Sequence, residues 1–503
     1  MHGEATVSGH GIYVVICTVL YLLLMVGIGL WSSKKQKNLD TYYVGGRNFG
    51  PWIVAFAVSA TTMSGFGFVG LPGLVYQNGP ALLWISIFAT GGAVVSYWFL
   101  AKPMRKISGK FGALTISDLL DVRYKSPWVR GITALAILGG CVGYQLAQYK
   151  AMGNMLQTLL GCSYEVGVFI GLVCIAIYVT AGGIISVMWT DLIQMSMMIF
   201  CGLFMFFTGM SLVGGFSSMN ATLAQVNPGL VSAYWDSGPN SFWIVISFLI
   251  LYLIGHQAQP HVVTKFYMIK EQKQLKWSAL VAALVYACSA LILIVGLCSR
   301  ALVARGVMPA PANPDLVIPM FMQQFLHPVM VGIICSAVLA AIMSTSSGFL
   351  IVSSSAIVRD FYQQLWLKGQ ELPQKTQLNL SRWITFAVII ITFLLSLNPP
   401  DLIGWMGNAS WGLFMAALMP PVTLGLWWKR ATKPAAIASS AIGFVLAMVL
   451  YVLKIKKIYV PAIDTGAIAT IVSFIVMVGV SLVTKPEPNP VHDDIAEIQT
   501  VKA

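Results

Sequence analysis

"AFAVSATTMSGFGFVGLPGLVY", residues 55–76, is apolar enough to cross a membrane, yet it holds four Gly, one Pro and two adjacent Thr. Gly and Pro each cost helix stability, and Pro also removes a backbone donor. A continuous α-helix is therefore not expected here. Opened backbone survives at membrane depth only where it lines a cavity or binds something. Whether this stretch is a broken membrane helix depends on the medium around it, which composition settles.

Of 503 residues, 57% are hydrophobic and 9% are charged, against about 25% charged in soluble domains. Apolar runs of bilayer length recur along the chain. The sequence predicts thirteen spans, at 11–31, 49–77, 81–101, 127–160, 164–184, 189–214, 241–260, 276–304, 328–358, 382–398, 404–428, 434–453 and 460–484. The first is not read as a cleaved signal, because Lys34, Lys35 and Lys37 follow the apolar run instead of preceding it.

With the N-terminus outside and span ends fixed to within a few residues, only Arg300, Arg305, Lys454, Lys456 and Lys457 fall at or in outer connections, and only Lys150 lies deep within a span. The remaining Lys and Arg face the cytoplasm, which is the positive-inside pattern and predicts an outside N-terminus and a cytoplasmic C-terminus in the cell inner (plasma) membrane. The net charge of +13 is then accounted for by topology and lipid headgroups, not by a nucleic-acid surface. The eight Cys are scattered singly, as small apolar residues rather than a disulfide or metal framework. "GFGFVG" matches the dinucleotide fingerprint only formally, since no strand precedes it. Hydrolase and Walker motifs are lacking, so no enzyme is expected.

Inside this membrane chain, "AAIMSTSSGF", residues 340–349, carries four consecutive hydroxyls. Single membrane Ser or Thr residues usually bond back to their own helix. Here Ala341, Ser344 and Thr345 stand at i, i+3 and i+4, so one face offers two hydroxyls beside a main-chain oxygen. Oxygen ligands suit hard cations. With no carboxylate in the set, a monovalent ion is favoured, and Na+ is the natural occupant. Carbonyls freed near Ala60 and Met63 complete the cage. A second break is predicted in "LYLIGHQAQPHVV", residues 251–263. Two broken spans five apart predict an all-α membrane protein with a five-plus-five inverted repeat and a midplane site.

Five stretches, "YYVGGRNFGP" (42–51), "MSGFGFVGLPG" (63–73), "MWTDLIQ" (188–194), "QPHVVTKF" (259–266) and "AAIMSTSS" (340–347), give the chain a resemblance to the solute:sodium symporter family, near its sodium/proline and sodium/pantothenate branches. The resemblance implies a leucine-transporter-like core with repeats over about 49–214 and 241–428. Extra helices fall at 11–31, 434–453 and 460–484. These make one transporter domain over 1–485, followed by a cytoplasmic tail at 486–503. It also implies Na+ as coupling ion, held by Ala60, Met63, Ala341, Ser344 and Thr345.

Several further positions carry two readings each. Asp191 is read as an ion-path group, a second ion site with Ser347, or a helix cap. Gly348, where relatives with a second site carry a hydroxyl, counts against that site. Ser64, Gly65 and Tyr144 match solute-facing positions, and Tyr252 and His256 stand where the proline branch has two aromatics. Lys150, read as the one cation deep in the membrane, either meets a solute carboxylate or snorkels. His256 is either a bonded core residue or a solute contact. The implied function is Na+-coupled import of a small organic solute by a monomer, an amino acid such as proline first. Pantothenate or another monocarboxylate is the alternative substrate, and a non-transporting solute sensor the alternative function.

Overall fold

The computed structural model describes residues 11–234, 241–271, 275–370, 372–398, 402–459, 461 and 463–488. The expected outer N-terminus and the tail from residue 489 onward lie outside the described residues. Among those described, the only β-pairing is one isolated bridge between Phe49 and Ile269, and the rest is helix and connection. Ten helices are long and apolar enough to cross a membrane: α1 (Gly11–Ser33), α4 (Pro80–Phe111), α5 (Pro127–Leu160), α6 (Tyr164–Val213), α9 (Leu275–Ala304), α10 (Pro328–Trp366), α11 (Gln374–Ser396), α12 (Ile403–Trp427), α13 (Lys433–Ile455) and α14 (Thr465–Val483). Two further spans are bent pairs, α2 (Pro51–Thr62) with α3 (Phe66–Asn78) at 55° and α7 (Phe242–Ala258) with α8 (Pro260–Met268) at 45°.

Among the described residues that makes twelve candidate spans with α6 counted once, and the difference from the thirteen expected lies in α6, where one helix covers the fifth and sixth expected spans. Its 50 residues would run about 75 Å as one straight helix, against a hydrocarbon core of about 30 Å. Gly183 interrupts it at φ 52°, ψ −152°, beside the boundary that the sequence reading drew at 184–189. A Cβ at Gly183 would stand 2.7 Å from the Tyr42 ring, so glycine is required there both by conformation and by contact.

Both breaks follow from local chemistry. α2 stops at Met63, which leaves the helical region at φ −84°, ψ 95°. Pro72 has no N–H to give the carbonyl four residues before it, and the turn ahead of it is widened, with the Leu71 N–H reaching the Phe66 carbonyl five residues back. At the second break Gln259 is extended, at φ −81°, ψ 104°, as expected for a residue preceding proline.

α10 and α12 are the most enclosed spans. α10 packs against α1, α2, α5, α6 and α8, and α12 packs against α3, α5, α7, α13 and α14. The two breaks therefore meet between the two most buried helices. At one end of the bundle Arg130 bonds Asp118 at 2.7 Å, Asp360 at 2.9 Å and Asp121 at 2.9 Å. This cluster ties the first turn of α5 to the far end of α10 and to the short helix Ile116–Tyr124.

Candidate functional site

The hydroxyl face of α10 lies against the last turn of α2. Ser344 Oγ donates to the Ala60 carbonyl at 2.8 Å and to that of Ala341 at 3.0 Å. Thr345 Oγ1 donates to the Thr61 carbonyl at 2.9 Å. All of these residues are buried. Ala60, Ala341, Ser344 and Thr345 thus come together as oxygen-bearing neighbours where α2 ends, with Met63 at the corner itself. The carbonyl that meets Thr345 belongs to Thr61, which the sequence reading did not single out. Ser347 turns its hydroxyl back onto the Ser344 carbonyl at 2.8 Å. Chemically, the cluster presents neutral oxygens with no carboxylate among them, a set that suits a hard monovalent cation.

Thr61 also touches a buried ion pair. Lys265 Nζ lies 2.6 Å from Asp191 Oδ2 and donates to the Ala57 carbonyl at 2.7 Å and to Thr61 Oγ1. Thr61 Oγ1 is 3.4 Å from the same Asp191 oxygen. Asp191 and Lys265 are at most 1% exposed. Lys150 is therefore not the one deep cation, because Lys265, placed by sequence in the flank beyond the seventh span, is drawn inside along α8. Asp191 is no helix cap either, since it lies within the helical limb of α6 that follows Gly183. Lys150 pairs with Asp315 at 3.7 Å, in the connection between α9 and α10.

Beside the first break, Ser64 Oγ lies 3.1 Å from Tyr144 OH, and the Gly65 N–H donates to Gln148 Oε1 at 2.9 Å. Aromatic rings surround these groups: Phe66 stacks on Tyr252 at 6.4 Å and meets Tyr144 edge-on at 6.3 Å. Trp411 lies 5.2 Å from Tyr252. Tyr252 OH donates to Asn408 Oδ1 at 2.7 Å. His256 has both ring nitrogens engaged, Nδ1 with Ser96 Oγ at 2.8 Å and Nε2 with Thr62 Oγ1 at 3.3 Å.

A model of the sodium:solute symporter family matches residues 42–443. The chain belongs to the sodium:solute symporter family. It is 30% identical over 444 residues to the sodium/proline symporter of Salmonella typhimurium, covering 87% of each chain. It is 29% identical over 469 residues to the sodium/pantothenate symporter of Haemophilus influenzae, covering 91% of this chain and 95% of that one. Among solved structures, a substrate-bound, outward-open Na+-coupled sialic acid symporter superposes with a TM-score of 0.77 at 22% identity, covering 95% of this chain and all of that one. At that identity the likeness concerns the fold, which is the leucine-transporter-like inverted repeat. Membership makes the chain a multi-pass plasma-membrane symporter, with Na+ as coupling ion and a small molecule as cargo.

Sequence reasoning missed Thr61, Gln148, Asn408, Trp411, His261 and Lys265 at this site. One signal was present: His261 and Lys265 are four residues apart, the spacing that puts two side chains on one helix face. The others are ordinary polar or aromatic residues of apolar spans, and only their neighbours distinguish them.

Proposed function

We propose that this symporter imports a small amino acid, proline first, with Na+ bound where Ser344, Thr345, Ala341, Ala60 and Met63 meet. The observation that carries the reading is the pair of hydroxyl bridges from α10 to the end of the broken span α2. A Na+ entering there takes the place of the hydroxyl protons as the partner of those carbonyls, and so favours one relative position of the two helices. A solute bound at Ser64, Gly65 and Tyr144, on the next turn of the same span, favours the same position. Coupling requires no more than that shared preference. Asp191 acts beside the ion's route, and the N-terminus faces out.

A carboxylate at midplane needs donors, since unpaired burial costs several kcal/mol. The main-chain N–H of Gly65, on exchanging Gln148 Oε1 for the solute, and the hydroxyl of Tyr144 supply them. A second reading, a pantothenate-like monocarboxylate, is favoured by the 29% identity to the sodium/pantothenate symporter of Haemophilus influenzae over 91% of this chain. Uptake of labelled proline and labelled pantothenate into proteoliposomes, with a Na+ gradient and with a K+ gradient, tests both. Accumulation of neither solute in Na+ overturns both readings, and binding without accumulation points to a sensor.

A further inference from the structure

Of the two histidines at the second break, one is fully satisfied and the other is not. His256 uses both ring nitrogens. His261 is 1% exposed, and neither of its ring nitrogens has a hydrogen-bond partner. A neutral imidazole always brings one N–H donor and one acceptor, and buried polar groups are nearly always paired. An imidazole with two unmet groups inside a membrane bundle is available to a ligand that carries both an acceptor and a donor.

Its surroundings describe that partner. The His261 ring lies 4.0 Å from Phe349, 6.1 Å from Tyr144, 6.2 Å from Phe414 and 6.4 Å from Trp411. These rings wall it on several sides, and Tyr144 carries the hydroxyl that meets Ser64. His261 also lines a small cavity, about 10 Å³ in volume, with Tyr43, Thr264, Lys265, Gly348 and Ser355. Gly348 keeps this space: a Cβ there would stand 3.4 Å from His261 Cβ and 3.1 Å from Thr61. Two residues before His261, Gln259 spends its amide N–H groups on the Gly255 and Trp411 carbonyls, at 3.3 Å each, and its Oε1 is left without a partner. Lys265 is committed to Asp191 and does not compete for the imidazole.

We infer that His261, with Gln259 Oε1, is a specificity-determining contact that receives a head group carrying a donor and an acceptor side by side, the amino and carboxylate groups of an amino acid. The imidazole N–H donates to the carboxylate. The other ring nitrogen and Gln259 Oε1 accept from the amino group. A monocarboxylate with no donor beside its carboxylate satisfies only half of this set. The inference rests on the symport reading above and deepens it by choosing between its two solute classes.

The test uses the purified full-length chain, with ligand stabilisation of unfolding and competition binding measured for L-proline, L-alanine and pantothenate, each in Na+ and in K+. His261→Phe fills the aromatic box and removes both polar groups, while His261→Asn keeps one donor and one acceptor. The expected result is a loss of about tenfold or more in amino-acid affinity for Phe, with partial recovery for Asn. Stabilisation by Na+ alone is expected to be unchanged in both variants. Three results would overturn the inference: unchanged amino-acid affinity in the Phe variant, an equal loss of Na+ stabilisation, or a wild-type chain that binds pantothenate and neither amino acid. Na+-driven uptake by the wild-type chain, read separately, reports on the symport reading itself.

Discussion

Lys265→Met removes the ammonium that faces Asp191 while keeping most of the side chain's length. In the native chain Nζ stands 2.6 Å from Asp191 Oδ2, and both side chains are at most 1% exposed. The second carboxylate oxygen, Oδ1, already has no partner. The variant therefore leaves a buried anion with only the distant hydroxyl of Thr61, at 3.4 Å. Breaking a buried pair on one side costs about 3–5 kcal/mol. Removing both charges, with Lys265→Met and Asp191→Asn together, abolishes the uncompensated anion, and pairs replaced in this way lose little or nothing.

The double variant is thus expected to be more stable than Lys265→Met alone, with a coupling energy of about 2–4 kcal/mol across the cycle. Reversible unfolding in mixed micelles for the wild type, both single variants and the double variant gives this coupling. Because Thr61 joins the pair to the hydroxyl bridges, Lys265→Met is also expected to raise the Na+ concentration needed for half-maximal uptake. Additive losses, with the double variant as destabilised as the sum of the singles, would refute the claim that Lys265 is held inside by Asp191.

Ser344→Ala and Thr345→Ala each remove an α10 hydroxyl that bridges to the end of α2, and the half-saturating Na+ concentration is expected to rise strongly with expression nearly unchanged; wild-type Na+ dependence in both would rule out the cage. Asp191→Asn keeps shape and hydrogen-bonding capacity without charge, and slowed turnover or altered Na+ dependence is expected in uptake assays. Normal kinetics would return Asp191 to packing. His256→Tyr loses the bonds to Ser96 and Thr62 and crowds Gly92, where an added Cβ would already meet His256 Cβ at 2.8 Å, so thermal unfolding should show lower stability with solute competition order unchanged. Gly183→Ala forces a side chain into a positive-φ conformation open essentially to glycine alone, at a cost of about 1–3 kcal/mol, and against Tyr42, which a lowered unfolding temperature should register.

The fold was legible because both breaks are written in local chemistry. Glycines and Pro72 in the first broken span, and Pro260 after an extended Gln259 in the second, act on their own backbone. The hydroxyl face of α10 was legible for the same reason, since i, i+3 and i+4 spacing is a property of one helix. Its counterpart was not fully legible. Which carbonyl of the last turn of α2 meets Thr345 depends on how two helices are set against each other, and the structure puts Thr61 there. The sequence places a span boundary at 184–189, and the structure carries one helix through that region with a single break at Gly183.

The charged residues show where local reading ends. Lys150 sits mid-span in the sequence and Lys265 sits in a flank, so hydropathy assigns the first to the membrane and the second to the surface. The cost of burying an ammonium is set by its partner, and the partners come from distant parts of the chain: Asp191 on α6 for Lys265 and Asp315, in the connection between α9 and α10, for Lys150. The histidines obey the same rule. His256 and His261 lie five residues apart in one polar stretch and are equivalent by composition, but Ser96 on α4 and Thr62 on α2 reach only His256. The one left without partners faces Tyr144, whose hydroxyl meets Ser64 at the first break. What separates a structural imidazole from a recognition imidazole is therefore the set of groups other helices bring to it. That set makes His261, and not His256, the position at which the two solute classes can be told apart.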